Sequence, residues 1–289
     1  MDAVNPTEPG NILSAKTPLK LSADQLKAWE HNGYIVLKKL FSEAEVRALN
    51  TFIDKRWADR KKNKSQVPCD VYLKTDREQR IPFSEVDDTA RHTPYKLNDL
   101  YLDYPEVRDV SLAPALCGVV SQLLSGAPIV INTLSIEYGT QQPDHIDTFF
   151  MPPRVENKMV ASWVALEATH ASNGPLRIYP GSHKIPAYRF SHGGLKAVRS
   201  EMDAFYSYIQ EALALRKIEP EYFIAKPGDV LIWHAQLLHG GEQIADKQAT
   251  RRSLVTHYFR ARDQWPRFWQ IKQHTKSGYY YKRPHQGTA

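Results

Sequence analysis

An imidazole and a carboxylate that stand two residues apart, His145 and Asp147, are the groups in this chain with the clearest capacity for chemistry. In an extended segment, side chains at positions i and i+2 point to the same side, so these two groups can converge on one point. With one more imidazole they would complete a set of two histidines and one carboxylate, which selects Fe(II) and leaves coordination positions open. On its own the pair is weak support, because a His-x-Asp sequence occurs by chance in many proteins.

Two histidines compete for the place of the third ligand, His234 and His239. A Pro-Gly turn at residues 227–228 leads into an apolar strand that ends at His234, and His239 follows after a short loop. A histidine inside an apolar strand is more often a packed residue than a ligand. We therefore predict that His239 closes the metal site.

Two adjacent arginines, Arg251 and Arg252, precede an apolar strand predicted at residues 253–260. A guanidinium that is buried one strand away from a metal could bind a distal carboxylate through a two-pronged hydrogen bond. Without further context, such a pair is usually surface charge.

Helical patterns dominate the first part of the chain, which precedes all of these groups. Capping boxes at Ser22 and Ser42 predict the starts of two helices, with a short strand at residues 34–38 between them. Residues 104–124 carry apolar side chains at helical intervals and predict a helical segment. Residues 65–100 are polar with little periodicity, which predicts a long loop.

From residue 126 onward, short runs of apolar and β-branched residues replace the helical patterns. Strands are predicted at residues 128–138, 159–167, 176–179, 222–225, 229–234 and 253–260. A helical insertion at residues 184–218 interrupts them. These patterns predict a β-sandwich or barrel with helices packed outside.

The predicted organisation is one domain over residues 21–262, with a helical part at 21–125 and a β core at 126–262. Residues 1–20 are expected to form a flexible leader, and residues 263–289 a basic, aromatic tail.

The composition limits the class of protein. With 42% hydrophobic and 24% charged residues, the chain resembles an ordinary globular protein. No stretch approaches the ~18 apolar residues of a membrane helix, and residues 1–20 lack the apolar run of a secretory signal, so we expect a cytoplasmic location. The two cysteines do not form a Cys-x-x-Cys pair, which argues against a thiolate metal site and a disulfide framework.

Positive charge is concentrated at the end of the chain. The net charge is +6, and residues 251–289 contain nine Lys or Arg against one acidic residue, together with Trp265, Trp269 and the tyrosines at 279–281. Such a mixture suits either a solvated flap or peripheral contact with an anionic membrane surface. We expect no nucleic-acid partner. A basic balance near the site would favour an anionic small-molecule substrate.

Taken in order, these motifs resemble the phytanoyl-CoA dioxygenase family of iron- and 2-oxoglutarate-dependent oxygenases, over about residues 21–259. The matching segments are Asn32-Gly33-Tyr34-Ile35-Val36-Leu37, His145 with Asp147, Trp163 on the next strand, the turns Asn173-Gly174-Pro175-Leu176 and Pro180-Gly181-Ser182-His183, and Pro227-Gly228-Asp229 with His239. The chained pattern is far more specific than any single piece.

The resemblance implies a fold and a set of cofactors. The fold would be mainly β with α additions, a double-stranded β-helix (a cupin-like jelly roll) with helices packed outside. Fe(II) would be held by His145, Asp147 and His239, and 2-oxoglutarate and O2 would be the co-substrates.

The resemblance also implies contacts for 2-oxoglutarate. The family places an arginine seven residues before an aromatic on the last strand, and Arg251 has that spacing to Tyr258, while Arg252 remains the alternative. Further expected contacts are Trp163, Asn132 and Tyr138. Relatives often carry a Ser or Thr where Gly241 stands here, so either the arginine alone holds the carboxylate or another hydroxyl, such as that of Tyr138 or Thr256, assists.

The substrate is less closely defined by the sequence. Phe149, Phe150, Met151 and His183 are the expected substrate contacts, and the family acts on acyl, amino-acid, sugar and lipid-related molecules. The carboxylate at Asp147 favours hydroxylation or desaturation over halogenation, because halogenating relatives lack it. A non-catalytic ligand-binding barrel of the same fold is the alternative, and the intact ligand set argues against it.

Overall fold

Two facing sheets form the centre of the computed structural model, which describes residues 17–276 and 278–287. Within those residues the strands are β1 (Tyr34–Leu37), β2 (Pro68–Val71), β3 (Gln79–Pro82), β4 (Lys96–Asn98), β5 (Pro128–Ile136), β6 (Met159–Ala165), β7 (Leu176–Ile178), β8 (Glu221–Phe223), β9 (Val230–His234), β10 (His239–Gly241), β11 (Ser253–Arg260), β12 (Ile271–Thr275) and β13 (Gly278–Tyr281). The larger sheet runs in the order β1-β9-β6-β11-β5-β4-β2-β3, with β12 and β13 attached beside β5, and the smaller sheet in the order β10-β7-β8.

Helices lie outside the two sheets: those before residue 125 pack on the outer face of the larger sheet, and the one after residue 200 packs against Ile146, Phe149 and Leu238. They are α1 (Ala23–Asn32), α2 (Glu43–Asp59), α3 (Leu100–Asp103), α4 (Pro105–Ser111), α5 (Pro114–Leu124) and α6 (Met202–Arg216). Both predicted capping boxes are present, since the Ser22 and Ser42 hydroxyls accept from the backbone of Gln25 and Glu45. Each cap satisfies backbone donors that the first turn of a helix leaves without partners.

Strand alternation divides the larger sheet into two apolar cores. On β11, Leu254 and Tyr258 join the outer core with the helices, whereas Val255 joins the inner core. The inner core contains Trp163 of β6, and Phe223 of the smaller sheet packs edge-to-face on it at 5.6 Å between ring centroids. The space between the two sheets is therefore lined by every second residue of the central strands.

In the N-terminal part, the structure confirms one prediction with a break in it and contradicts another. Residues 104–124 form two helices, because Leu112 leaves the helical conformation and Pro114, which has no N–H to donate, starts the second one. Residues 65–100, predicted as a loop, contain β2, β3 and β4, and these strands of three or four residues are too short to show a periodicity.

No single helix among the described residues is long and apolar enough to cross a membrane. The pair α4 and α5 reaches that length and apolarity only together, across a bend of 56°.

The end of the chain is part of the larger sheet. β12 and β13 form an antiparallel hairpin, and β13 pairs in parallel with β5, with Tyr279 opposite Ile129. Tyr281 is buried. The side chains of residues 265–269 and the first 16 residues, which include most of the expected leader, lie outside what the structure describes.

Candidate metal centre

The backbone brings the two predicted histidine ligands face to face. His145 and His239 form an isolated antiparallel bridge, in which each N–H donates to the other's carbonyl, at 2.8 and 3.1 Å. Asp147 follows at the start of a short 3-10 turn. One ligand atom from each of the three residues lies within 4.8 Å of the others, so they could hold a metal ion.

Both histidines are held in the tautomer that a metal requires. The Nδ1 of His145 lies 2.8 Å from the carbonyl of Pro143, and that of His239 lies 3.0 Å from the carbonyl of Leu237. A carbonyl only accepts, so Nδ1 carries the proton and Nε2 keeps its lone pair. The two Nε2 atoms lie 3.8 and 3.6 Å from Oδ1 of Asp147.

The other oxygen of the carboxylate has different partners. Trp233 Nε1 donates to Asp147 Oδ2 at 2.8 Å, and His257 Nε2 lies 3.6 Å from the same oxygen. Asp147 is 4% exposed. Since these partners occupy Oδ2, the oxygen that faces the two histidines is Oδ1.

The electrostatics keep the ligands in their binding forms. Burial, together with the neighbouring His239, lowers the pKa of His145 to about 3, so its imidazole is neutral at physiological pH. Burial opposes ionisation of Asp147, but the nearby His239 and His257 outweigh it and hold the pKa of that carboxyl below its usual range. Imidazole and carboxylate donors of this kind suit Fe(II).

These residues form one wall of a cavity of about 990 Å³, which also reaches the inner face of the larger sheet. Arg251 lies at its deep end and is 1% exposed. Its Nε and Nη1 have no hydrogen-bond partner among the described residues. Burial lowers the pKa of the guanidinium to about 10, so it remains charged at neutral pH.

A buried cation without a partner is costly, unless a ligand supplies the opposite charge. The guanidinium carbon of Arg251 lies 5.5 Å from the centre of the Trp163 ring. Trp163 Nε1 and the Ser253 hydroxyl, on the same inner face, are also buried without a partner in the described part of the chain. The donors of Arg251 and Trp163 fit the distal carboxylate of 2-oxoglutarate.

The neighbouring arginine lies on the opposite face of β11. Arg252 pairs with Glu137 and Asp54, the latter at 3.0 Å, and its Nε lies 3.9 Å from Glu167. The strand alternation that turns Arg251 inward turns Arg252 outward. Of the two candidates, the structure brings only Arg251 to the cavity.

Some of the other expected 2-oxoglutarate contacts also line the cavity, and others do not. Asn132 and Trp163 line the cavity, whereas Tyr138 does not. The hydroxyl of Thr256 points outward, 2.9 Å from that of Ser111. The hydroxyls of Tyr138 and Thr256, considered as replacements for the Ser or Thr that relatives have at Gly241, therefore do not face the site. Ser253, two residues from Arg251, faces the same side by alternation, but it is not among the residues that line the cavity.

Three of the four expected substrate contacts line the cavity. Phe149 is buried against Phe205, at 4.6 Å between ring centroids, whereas Phe150 is 57% exposed at the mouth beside Met151. The prediction for His183 does not fit its place. That ring packs against the turn after α1, where a Cβ on Gly33 would lie 2.3 Å from its Nδ1.

His234, the alternative third ligand, packs beside His183 and away from the cavity. The ring of His234 lies 5.4 Å from that of His183 and 6.0 Å from that of Trp29. Burial lowers the pKa of His234 to about 4. His234 is the last residue of β9, and it points away from the cavity that its neighbour Trp233 lines.

The comparisons with known proteins identify the family of the chain. The family model described as phytanoyl-CoA dioxygenase (PhyH) matches residues 29–253. Peroxisomal phytanoyl-CoA dioxygenase from Bos taurus is 25% identical over 253 residues, which cover 82% of this chain and 68% of the bovine protein. Phytanoyl-CoA dioxygenase 1 from Oryza sativa subsp. japonica is 26% identical, over 76% of this chain and 82% of the rice protein.

Solved structures share the fold. The non-heme alpha ketoglutarate dependent carbocyclase SnoK from nogalamycin biosynthesis superposes with a TM-score of 0.63 at 18% identity, over 85% of this chain and 88% of SnoK. This similarity confirms the predicted fold, a mainly β jelly roll of the double-stranded β-helix type with helices outside.

Proposed function

The chain belongs to the phytanoyl-CoA dioxygenase family, and from this premise we propose that it hydroxylates an unactivated C–H bond of a small, anionic organic substrate. It is a 2-oxoglutarate-dependent dioxygenase that uses iron. The observation that carries the proposal is the convergence of His145, Asp147 and His239 at a cavity whose deep end holds the unpaired guanidinium of Arg251.

We assign the iron ligands to His145, Asp147 and His239. Support comes from the fixed tautomers of both imidazoles and from Asp147 Oδ1, which faces them. When bound, iron supplies the oxidising chemistry, in which 2-oxoglutarate and O2 become succinate and CO2 while the substrate C–H becomes C–OH. Because the carboxylate ligand is present, hydroxylation is favoured over halogenation.

The chain's own residues bind and orient the co-substrate. Arg251 would hold the distal carboxylate by charge-assisted hydrogen bonds, with Trp163 as a further donor that lines the cavity. The apolar side chains of Leu134 and Val255 line the same wall and exclude water around the chelate.

An anionic substrate is supported by the charges around the cavity. Its lining contains seven Lys or Arg side chains and three carboxylates. Arg80 is neutralised by a two-pronged pair with Asp70, whereas Lys74, Lys196 and Arg199 form no ion pair in the described part of the chain. These three side chains are exposed at the rim, so they would attract an anion to the mouth.

The substrate also meets an apolar surface. Phe150, Met151, Met202 and Tyr206 line the mouth on the side of α6. An organic acid with an apolar body would match both the cations and these side chains. The cytoplasmic location stays a prediction, and so does membrane contact through the end of the chain.

The first test is anaerobic. Fe(II) and 2-oxoglutarate are added to the purified protein, and the visible charge-transfer band of the chelate is measured in the parent and in Asp147→Ala and His239→Ala. We expect a band in the parent that both variants lose, while His234→Ala retains it as the matched control.

Succinate release in the presence of candidate acids then identifies the substrate. A folded, iron-loaded parent with no band would contradict the proposed function and would favour a ligand-binding barrel. A band that persists in His239→Ala but disappears in His234→Ala would overturn the ligand assignment alone.

A further inference from the structure

The end of the chain forms part of the cavity wall. Arg283 and Gln286, which follow β13, both line the cavity. β13 pairs with the first half of β5, at Ile129, and β4 pairs with the second half of β5, at Ser135. Among the described residues, no strand pairs with this edge of β5 between Val130 and Leu134. Side chains can therefore fill the gap between β13 and β4.

A buried carboxylate occupies this gap. Asp99 is 0% exposed and has a left-handed backbone, with φ of 59°. Arg283 Nη2 donates to Asp99 Oδ2 at 2.7 Å, and this is the ion pair that Asp99 forms in the described chain. A carboxylate so deeply buried needs a charged partner, so its position depends on Arg283.

The remaining oxygen of Asp99 fixes an amide in the cavity wall. Asn132 Nδ2 donates to Asp99 Oδ1 at 2.9 Å. An ionised carboxylate only accepts, so the NH2 group of Asn132 must face Asp99 and its Oδ1 must face the other way. There Oδ1 lies 3.0 Å from Nδ1 of His257.

The same logic fixes the imidazole. Because Oδ1 of Asn132 accepts, His257 donates from Nδ1, and the ring cannot turn without losing that bond. Its Nε2 then lies 3.6 Å from Asp147 Oδ2, the oxygen that also accepts from Trp233. The chain of contacts therefore ends on the carboxylate assigned to iron.

We infer that Arg283 is a positioning residue for Asp147, acting through Asp99, Asn132 and His257. The inference rests on the proposed function, because it takes Asp147 as an iron ligand. Arg283 fixes Asp99, Asp99 fixes the amide, and the amide fixes the imidazole that flanks Oδ2. Oδ1 is thereby kept directed at the two histidine ligands, and the end of the chain becomes a component of the metal centre.

The test compares iron binding with folding. Fe(II) dissociation constants are measured anaerobically, by competition with a chromogenic chelator, for the parent and for Arg283→Met and Arg283→Lys. Loss of outer partners of a metal ligand typically costs about 10–100-fold in metal affinity. We expect Arg283→Met to weaken iron binding by about 10-fold at this distance, with a shifted chelate band, and Arg283→Lys to recover most of the loss.

The control removes a contact from the same segment but leaves the series of contacts from Arg283 to Asp147 intact. The Tyr281 hydroxyl donates to Gln270 at 2.5 Å, so Tyr281→Phe loosens the hairpin only. We expect it to lower the melting temperature but to leave iron affinity and the chelate band unchanged. If Tyr281→Phe and Arg283→Met weaken iron equally, Arg283 has only a structural role and the inference is wrong.

Two further outcomes separate this inference from the proposed function. A parent that binds no iron contradicts the proposed function itself. A parent that binds iron, with Arg283→Met binding equally tightly and with the same band, overturns the inference and leaves the proposed function standing. Should Arg283→Met fail to fold, Asp99→Asn removes the same buried charge at constant volume, and unchanged iron affinity in that variant counts equally against the inference.

Discussion

The two faces of β11, continued to the arginines that precede it, differ in whether their polar side chains have hydrogen-bond partners. On the inner face, the guanidinium of Arg251 and the hydroxyl of Ser253 are buried without hydrogen-bond partners in the described chain. On the outer face, Arg252 pairs with carboxylates, and the Tyr258 hydroxyl donates to the carbonyl of Ser111 at 2.7 Å. Ser253 of the inner face and Tyr258 of the outer face are both fully buried, so burial alone does not distinguish the two faces.

This difference indicates which polar groups could bind a ligand. Leaving a buried donor without an acceptor costs about 1–3 kcal/mol, and more for a charged group. A folded chain tolerates that cost where a ligand will supply the missing acceptor. The paired groups of the outer face stabilise the fold, and the unpaired donors of the inner face are available to a ligand such as the proposed carboxylate.

The largest expected effect lies at the residues assigned to iron, which line the same cavity as Arg251. Asp147→Ala and His239→Ala should each lower the rate of succinate formation by more than about 100-fold, since even outer partners of a ligand cost about 10–100-fold in affinity or activity. Initial rates at saturating Fe(II) measure this. His234→Ala, on the outer side, should keep most of the parent rate, and equal losses in His234→Ala and His239→Ala would erase the distinction between the faces.

Replacing Arg251 and replacing Arg252 should change the free energy of unfolding in opposite directions. Arg251→Met should raise the KM for 2-oxoglutarate by about 10–100-fold, since a hydrogen bond to a charged group contributes about 1.5–3 kcal/mol. It should also raise the free energy of unfolding of the ligand-free protein, because it removes an unpaired buried charge. Steady-state kinetics and urea denaturation measure the two effects.

Arg252→Met is the matched change on the outer face. It leaves Glu137 with one cation fewer, so the free energy of unfolding should fall by about 1–3 kcal/mol while the KM for 2-oxoglutarate stays unchanged. A raised KM in Arg252→Met, with a normal KM in Arg251→Met, would reverse the assignment of the co-substrate anchor.

A smaller effect is expected at the cavity rim, where charge acts at longer range. The double variant Lys196→Glu with Arg199→Glu should lower kcat/KM for an anionic substrate by about 10-fold, with a weaker dependence on ionic strength. Reversing Lys55 and Lys62, exposed near the end of α2, is the control and should change little. An equal loss with a neutral amide of the same substrate would argue against recognition of an anion.

The smallest effect concerns His234 and the pH dependence of stability. Its pKa is about 4 in the folded protein and 6.5 ordinarily, so the unfolded chain binds more protons between these values. Stability should be complete above pH 6.5 and fall as the pH drops towards 4, by about 1–2 kcal/mol at pH 5. Urea denaturation of His234→Gln at pH 7 and pH 5 should show a shallower fall than the parent, and an identical fall would exclude His234 as a source.

The sequence by itself determined the kind of site and the kind of fold. The i, i+2 spacing of His145 and Asp147, the chained turns and the strand patterns after residue 126 are local features, and each is written in neighbouring residues. The capping boxes of α1 and α2 belong to the same class, since a cap and its partner are three residues apart. The capping boxes and the strand regions agree with the structure, and the residues of the iron site stay a prediction that the geometry supports.

The tertiary structure alone decided which of two adjacent residues faces inward and how distant segments meet. Alternation shows that Arg251 and Arg252 point to opposite faces, but only the packing of β11 between β5 and β6 decides which face is the inside. The contact between Arg283 and Asp99 joins residues 184 positions apart, and no local pattern encodes such a distance. Long-range pairing depends on the summed burial of the whole chain, and it is this pairing that places the end of the chain beside the metal centre.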